Sequence, residues 1–246
     1  MENKIHNISV LYEDKDVVVI NKPSGILVHP DGVSREKTIS DWAIENYPEI
    51  VGVGEKETLK NNEVISRPGI VHRLDKETSG TLLICKTRES YTYLKNLFAM
   101  KKIKKEYHAL VYGVIKENSS TINKPIGRHP VDFRRRLAEE GARGEMRPAA
   151  TEFEVVERGK EATFLHAFPL TGRTHQIRAH MKAISHPIVC DSLYAPKKPC
   201  LFGINRLALH AYKISWQDKG GAGHEVIAPY PEDFENALNE FRKSVA

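Results

Sequence analysis

Arg67-Pro68-Gly69-Ile70-Val71-His72-Arg73-Leu74-Asp75-Lys76-Glu77-Thr78-Ser79-Gly80 runs directly into Thr81-Leu82-Leu83-Ile84-Cys85, so a polar, turn-forming stretch delivers the chain into a compact apolar strand. Its one aspartate, Asp75, sits near its middle with arginines on its N-terminal side. Taken alone, such an aspartate suits an Asx-turn as well as a reactive group.

Upstream, Val10-Leu11-Tyr12, the polar tetrapeptide 13–16 and Val17-Val18-Val19-Ile20 form a hairpin signal that ends in the turn residues Asn21-Lys22-Pro23-Ser24-Gly25. Thr38-Ile39-Ser40-Asp41 has the form of a capping box, and Ile39, Trp42 and Ala43 predict a helix up to Tyr47, stopped by Pro48. The segment with Gly52, Gly54 and Asn61-Asn62 reads as a loop. Downstream of Thr87 the period changes to 3.6, with Tyr91, Leu94, Leu97 and Phe98 on one helical face. Strands are expected at 107–112, 151–156, 162–170 and 207–216, with a helix after Gly172 that carries Ile177, Met181 and Ile184. A last helix opens at Pro231 with Glu232 and Asp233 at its positive end, and buries Phe234, Leu238 and Phe241. Strands and helices mix without a regular βαβ rhythm, which favours an α+β fold with a mixed, mainly antiparallel sheet over a doubly wound one.

The chain has 246 residues, 40% hydrophobic and 28% charged, an ordinary globular composition. No apolar run approaches the roughly 20 residues that span a bilayer, and MENKIHNISV lacks the apolar stretch of a secretory signal. A cytoplasmic address without membrane attachment is the expectation. Cys85, Cys190 and Cys200 are too few for a disulfide framework, which agrees with a reducing compartment.

Net charge is +5, and its distribution is uneven. Residues 95–147 hold 13 basic and 6 acidic side chains, including Lys101, Lys102, Lys104, Lys105 and Arg134-Arg135-Arg136. The flanking parts nearly cancel. Such a surface favours polyanions through counterion release, although a solvated charged face has the same composition. Within it, 117–149 is rich in Gly, Pro and Arg, too polar for core, and reads as an arm that leaves the sheet and returns at Thr151.

Several patterns are decoys. Asp14-Lys15-Asp16 imitates an aspartyl-nucleophile motif but occupies a hairpin turn. His175 and His180 lie about 140° apart around a helix and cannot share a metal. Neither a GxSxG elbow nor a GxxxxGK[ST] loop occurs. The second informative segment is Leu170-Thr171-Gly172-Arg173-Thr174-His175-Gln176-Ile177-Arg178-Ala179-His180-Met181, which sets two arginines and an amide at the start of a helix.

HRLDKETSG together with TGRTHQIRAHM resembles the RluA-type family of RNA pseudouridine synthases. Asn21–Pro30, Lys105-Glu106-Tyr107-His108-Ala109-Leu110-Val111 and Ala208-Leu209-His210-Ala211 resemble three further landmarks, in the right order, over roughly residues 10–235. Many members carry an N-terminal S4-type RNA-binding module, whereas here the core begins within about the first ten residues, so targeting is expected to rest on the core and on the basic arm.

The resemblance implies a single catalytic domain over 1–246, built as two fused lobes around a central RNA-binding cleft. It implies action on structured RNA, rRNA or tRNA, without cofactor or metal; oligomeric state is open, with monomer the preferred expectation. Uridine would be isomerised by breaking the N1–C1′ bond, turning the base and joining C5 to C1′. Asp75 is carried over as the carboxylate that attacks C1′ or promotes elimination. Burial would push its pKa above about 3.9, and Arg178 is carried over as the cation that opposes this. Tyr107 would stack on the uracil and help remove the C5 proton, with Leu209 on the base's other side; both also suit plain core positions. Arg73 would fill the vacancy left by the flipped nucleotide, and Arg173 would bind phosphate or brace the cleft. The competing expectation is a non-catalytic RNA-binding or RNA-remodelling protein; a metal-dependent aspartyl hydrolase rests only on the Asp14-Lys15-Asp16 decoy.

Overall fold

The computed structural model describes residues 5, 8–32, 34, 36–58 and 64–245. The chain divides into two compact units, Met1–Ile103 with Lys213–Pro229, and Lys104–Tyr212 with Tyr230–Ala246.

In the first unit β1 (Ser9–Glu13) and β2 (Val17–Lys22) form the expected hairpin, and β2 pairs antiparallel with β5 (Ser79–Cys85). Every residue of β5 is buried, as the apolar run 82–85 in its second half leads one to expect. Helix α1 (Ile39–Asn46) starts at the capping box, where Thr38 and Asp41 bond each other's backbone N–H. Helix α2 (Arg88–Ala99) is capped by Thr87 and Ser90 and buries Tyr91, Leu94 and Leu97. The loop reading after Gly52 is corrected: β3 (Gly54–Thr58) and β4 (Val64–Pro68) pair as a hairpin, while Asn61-Asn62 lies outside the described residues. The glycines and the run of charged residues hid the pairing, which is made between the two strands' backbones.

The second unit is built on the antiparallel order β6 (Lys104–Tyr112), β12 (Ala162–Pro169), β11 (Thr151–Arg158) and β7 (Ser119–Ile122). Strand β7 falls within the expected arm, but Ile122 is buried and Ser119–Ile122 joins the sheet edge. The arm therefore begins later. It folds into a small sheet of β8 (Ile126–Arg128), β9 (Arg136–Leu137) and β10 (Arg143–Arg147) in the order β10-β8-β9. Ile126 and Ala138 pack it onto Ala179 of α3 (Gln176–Ala183) and onto Tyr194. The last helix, α4 (Glu232–Val245), buries Phe234, Ala237, Leu238 and Phe241 in the main core of this unit.

Strand β13 (Leu209–Gln217) contributes its first four residues to the second unit and the rest to the first, where it pairs with β14 (Gly223–Ile227). Two of the three cysteines form a single bridge, Cys190–Cys200, a pairing absent from the sequence reading. Burial pushes the remaining thiol, Cys85, up to about 12, so it stays protonated. Among the described residues no helix is long and apolar enough to cross a membrane.

Candidate active site

Of the six candidate side chains, Arg73 and Asp75 lie on the first unit, and Tyr107, Arg173, Arg178 and Leu209 on the second. Alternation along the Arg67–Gly80 segment fixes the first pair. Ile70 bridges Ile84 of β5, His72 Nε2 accepts the Leu83 N–H at 2.9 Å while its ring stacks on Phe98, and Leu74 is buried. The odd positions face the other way, leaving Arg73 exposed and Asp75 half-buried. Gly69 makes the entry to this segment possible: its φ is +65°, and an added Cβ would lie 2.1 Å from the Cys85 carbonyl oxygen.

Asp75 opens a tight turn in which its carbonyl accepts the Thr78 N–H at 3.1 Å. The turn at residues 21–25 grips it from behind. Gly25 N–H donates to the Lys76 carbonyl at 2.8 Å, and Ser24 Oγ donates to the Glu77 carbonyl at 2.7 Å. Lys22, 0% exposed, sends its ammonium to the carbonyls of Pro23, Ile26 and Lys76 at 2.8, 2.9 and 3.1 Å. Sequence reading treated Lys22 as a turn residue; its burial and its bond to a carbonyl 54 positions away make it a positioning residue for the Asp75 turn. Lys22→Met would leave three carbonyl acceptors, one of them buried, without this donor and should cost about 2–4 kcal/mol. A lower urea midpoint at unchanged slope would show it, and wild-type stability would refute it.

On the second unit, Tyr107 is half-buried and packs against the hydrophobic cluster that contains Leu209 and Ile177. Leu209 is a buried member of that cluster. The period of two puts Glu106 and His108 on the face of β6 opposite Tyr107. There His108 is sandwiched between the rings of Tyr212 at 3.9 Å and His166 at 3.8 Å, and Glu106 Oε1 bridges His108 Nε2 at 2.9 Å and His166 Nδ1 at 3.4 Å. The ligand atoms of Glu106, His108 and His166 lie within 4.8 Å of one another, the spacing of a metal site. The ring planes differ by only 6°, however, and imidazole lone pairs lie in the ring plane, so both nitrogens cannot reach one ion at about 2.1 Å. This is a carboxylate-bridged ring stack under Tyr107. Lys105, on the Tyr107 face of the strand, is pushed down to about 8 by desolvation.

Helix α3 presents two functional faces. Gln176 and His180, one turn apart, meet β11: Gln176 Nε2 donates to Thr151 Oγ1 at 3.0 Å, His180 Nδ1 lies 2.9 Å from the same hydroxyl, and His180 Nε2 donates to the Lys124 carbonyl at 2.9 Å. Gln176 Oε1 also accepts the Thr171 hydroxyl and the Arg173 N–H, which shapes the loop before the helix. Arg173 is exposed and its Nε donates to the Pro148 carbonyl at 3.1 Å, a brace on the returning arm.

From the other face Arg178, buried, donates Nε and Nη2 to the two oxygens of Asp191, each at 2.8 Å. Asp191 Oδ1 also accepts the N–H groups of Leu193 and Tyr194 at 3.0 Å. The Tyr194 ring lies under the guanidinium of Arg178 at 5.2 Å and that of Arg135 at 5.3 Å. Asp191 and Tyr194 were not singled out from the sequence; an acid 13 residues after an arginine carries no periodic signal.

Burial pushes the His180 pKa below its usual 6.5 and keeps the ring neutral. Its contribution to stability is then complete above about pH 6.5, the unfolded value, and is lost as pH falls toward the folded value, because the unfolded chain takes up the proton more readily. In urea titrations at several pH values, His180→Gln should flatten the acid limb; an equally steep limb would exclude His180 as its source.

Residues 16–183 match the family model described as RNA pseudouridylate synthase. A Synechocystis protein named as an RNA pseudouridine synthase is 35% identical over 239 residues, covering 97% of this chain and 70% of its own length. A Bacillus subtilis protein of the same description is also 35% identical, with 97% and 74% covered. The ribosomal large subunit pseudouridine synthase D of Haemophilus influenzae is 34% identical, with 96% and 71% covered. Among solved structures, human RNA pseudouridylate synthase domain containing 1 superposes with a TM-score of 0.71 at 26% identity, over 92% of this chain and 85% of that one.

Proposed function

Because this chain belongs to the RNA pseudouridylate synthase family, we propose that it isomerises particular uridines of structured RNA, ribosomal or transfer, with Asp75 as the reacting carboxylate. The observation that carries this reading is the turn holding Asp75: its neighbouring backbone carbonyls are clamped by Lys22, Ser24 and Gly25, which fixes the position from which Asp75 acts.

The reaction is an isomerisation, and its atoms balance without a co-reactant. The carboxylate attacks C1′ or promotes elimination, the N1–C1′ bond breaks, the freed uracil turns, and C5 bonds to C1′. The proton lost from C5 is matched by the one gained at N1. Tyr107 stacks on the uracil and its hydroxyl assists removal of the C5 proton, while Arg73, exposed beside the turn, occupies the gap left by the flipped nucleotide. Leu209 lines the base site, Arg178 supplies the guanidinium of the basic motif, and Arg173 braces the arm. Cytoplasmic rRNA and tRNA are the proposed substrates, and the monomer is the proposed working form.

Chemical mapping of pseudouridine in bulk rRNA and tRNA incubated with the protein tests the proposal. New sites are expected at a few defined uridines. Tight binding with no new site would instead support an RNA-binding or RNA-remodelling role.

A further inference from the structure

The hairpin loop between β8 and β9 exposes two large apolar side chains, Val131 at 88% and Phe133 at 83%. Exposure on this scale is unusual for a phenylalanine, whose burial is worth a few kcal/mol. The loop is nonetheless built. His129 Nδ1 accepts the N–H groups of Val131 and Asp132 at 3.2 and 3.0 Å, Arg135 N–H returns to the Asp132 carbonyl at 3.0 Å, and His129 N–H reaches the Arg135 carbonyl at 3.3 Å. Arg134 grips Asp132 through Nε and Nη2 at 3.0 and 2.9 Å, and holds its carboxyl down to about 2, so the pair persists at any working pH. Arg136 Nη1 ties down the Phe133 carbonyl at 3.1 Å. The backbone beneath Phe133 is therefore held in place while the ring itself is left uncovered. Behind it, Arg135 Nε is buried without a hydrogen-bond partner.

We propose that the tip of the β8–β9 loop is a nucleobase-stacking site, in which an unpaired base of the RNA substrate lies on the Phe133 ring and the adjacent arginines face its phosphates. This rests on the RNA reading above and adds a contact site to it. A ligand with flat apolar faces on an anionic backbone matches a bare aromatic ring on a hairpin whose chain carries Arg128, Arg134, Arg135 and Arg136. An acidic peptide would satisfy the arginines but offers no flat face to the ring. The turn is preorganised by its own bonds, so little ordering is needed on binding.

The test is a fluorescence titration with a short hairpin RNA whose unpaired loop carries 2-aminopurine, run for wild type, Phe133→Ala and Phe133→Trp at several salt concentrations. Stacking of one base is worth about 1–3 kcal/mol, so Phe133→Ala should weaken binding about tenfold or more and abolish the fluorescence quench, with Phe133→Trp restoring both. Because no charge is removed, the salt slope should stay at the wild-type value, whereas joint replacement of Arg134, Arg135 and Arg136 by glutamine should reduce it. Unchanged affinity in Phe133→Ala overturns the proposal. So does a wild-type self-association that Phe133→Ala disperses while RNA affinity stays the same, since the tip would then be a protein contact. Pseudouridine formation in bulk tRNA and rRNA, read in parallel, separates the two ideas: no modification by wild type sinks the isomerase reading and leaves the stacking result standing.

Discussion

Asp75→Asn is expected to lower pseudouridine formation by at least about three orders of magnitude, equal to about 4 kcal/mol of barrier, while the protein remains folded. The amide has the shape of the carboxylate but not its charge or nucleophilicity, so both proposed roles, attack at C1′ and promotion of elimination, fail together. Fold is expected to be retained because backbone groups also hold the turn: the Asp75 carbonyl receives Thr78 N–H, and the carbonyls of Lys76 and Glu77 are held by Lys22, Gly25 and Ser24. Single-turnover assays on modified tRNA or rRNA sites, beside circular dichroism, check both halves. Wild-type rate in a folded Asp75→Asn protein would remove the carboxylate from the mechanism.

Asp191→Ala is expected to produce the largest loss of stability, about 3–5 kcal/mol, or a fall in Tm of roughly 6–20 °C for a chain of this size. Asp191 receives four hydrogen bonds, two from Arg178 and two from the backbone of Leu193 and Tyr194, and both members of the pair are buried. Removing the acid takes the bidentate partner from a buried guanidinium and frees the turn that carries Tyr194. That tyrosine stacks on Arg178 and Arg135 and its hydroxyl accepts the Arg136 N–H at 2.8 Å, so the arm should loosen with it. Asp191→Asn keeps most of the shape and should lose less. Calorimetry on the three proteins decides the matter, and a Tm for Asp191→Ala within about 2 °C of wild type would refute the assignment.

Much of the fold was legible because its signals are short-ranged. The box at Thr38 and Asp41, the Pro48 stop, the stripe of Phe234, Leu238 and Phe241, and the apolar run of β5 each act within a few residues. The misreadings share one cause. Strands β3 and β4, edge strand β7 and the small β8–β10 sheet are short or lack a sustained apolar alternation, and their partners rather than their own pattern define them.

Sequence alone determined the family: HRLDKETSG and TGRTHQIRAHM carry the resemblance, and the family match over residues 16–183 agrees with it. Tertiary structure decided how the groups are held. Only the folded chain brings the Lys22 ammonium to the Lys76 carbonyl, gives Arg178 the carboxylate of Asp191, and leaves Phe133 bare on a braced loop. The reason is physical. A residue's identity carries its charge and donors, but which acceptor it meets depends on the path of the chain between them. Exposure, likewise, is defined by what the rest of the molecule fails to cover.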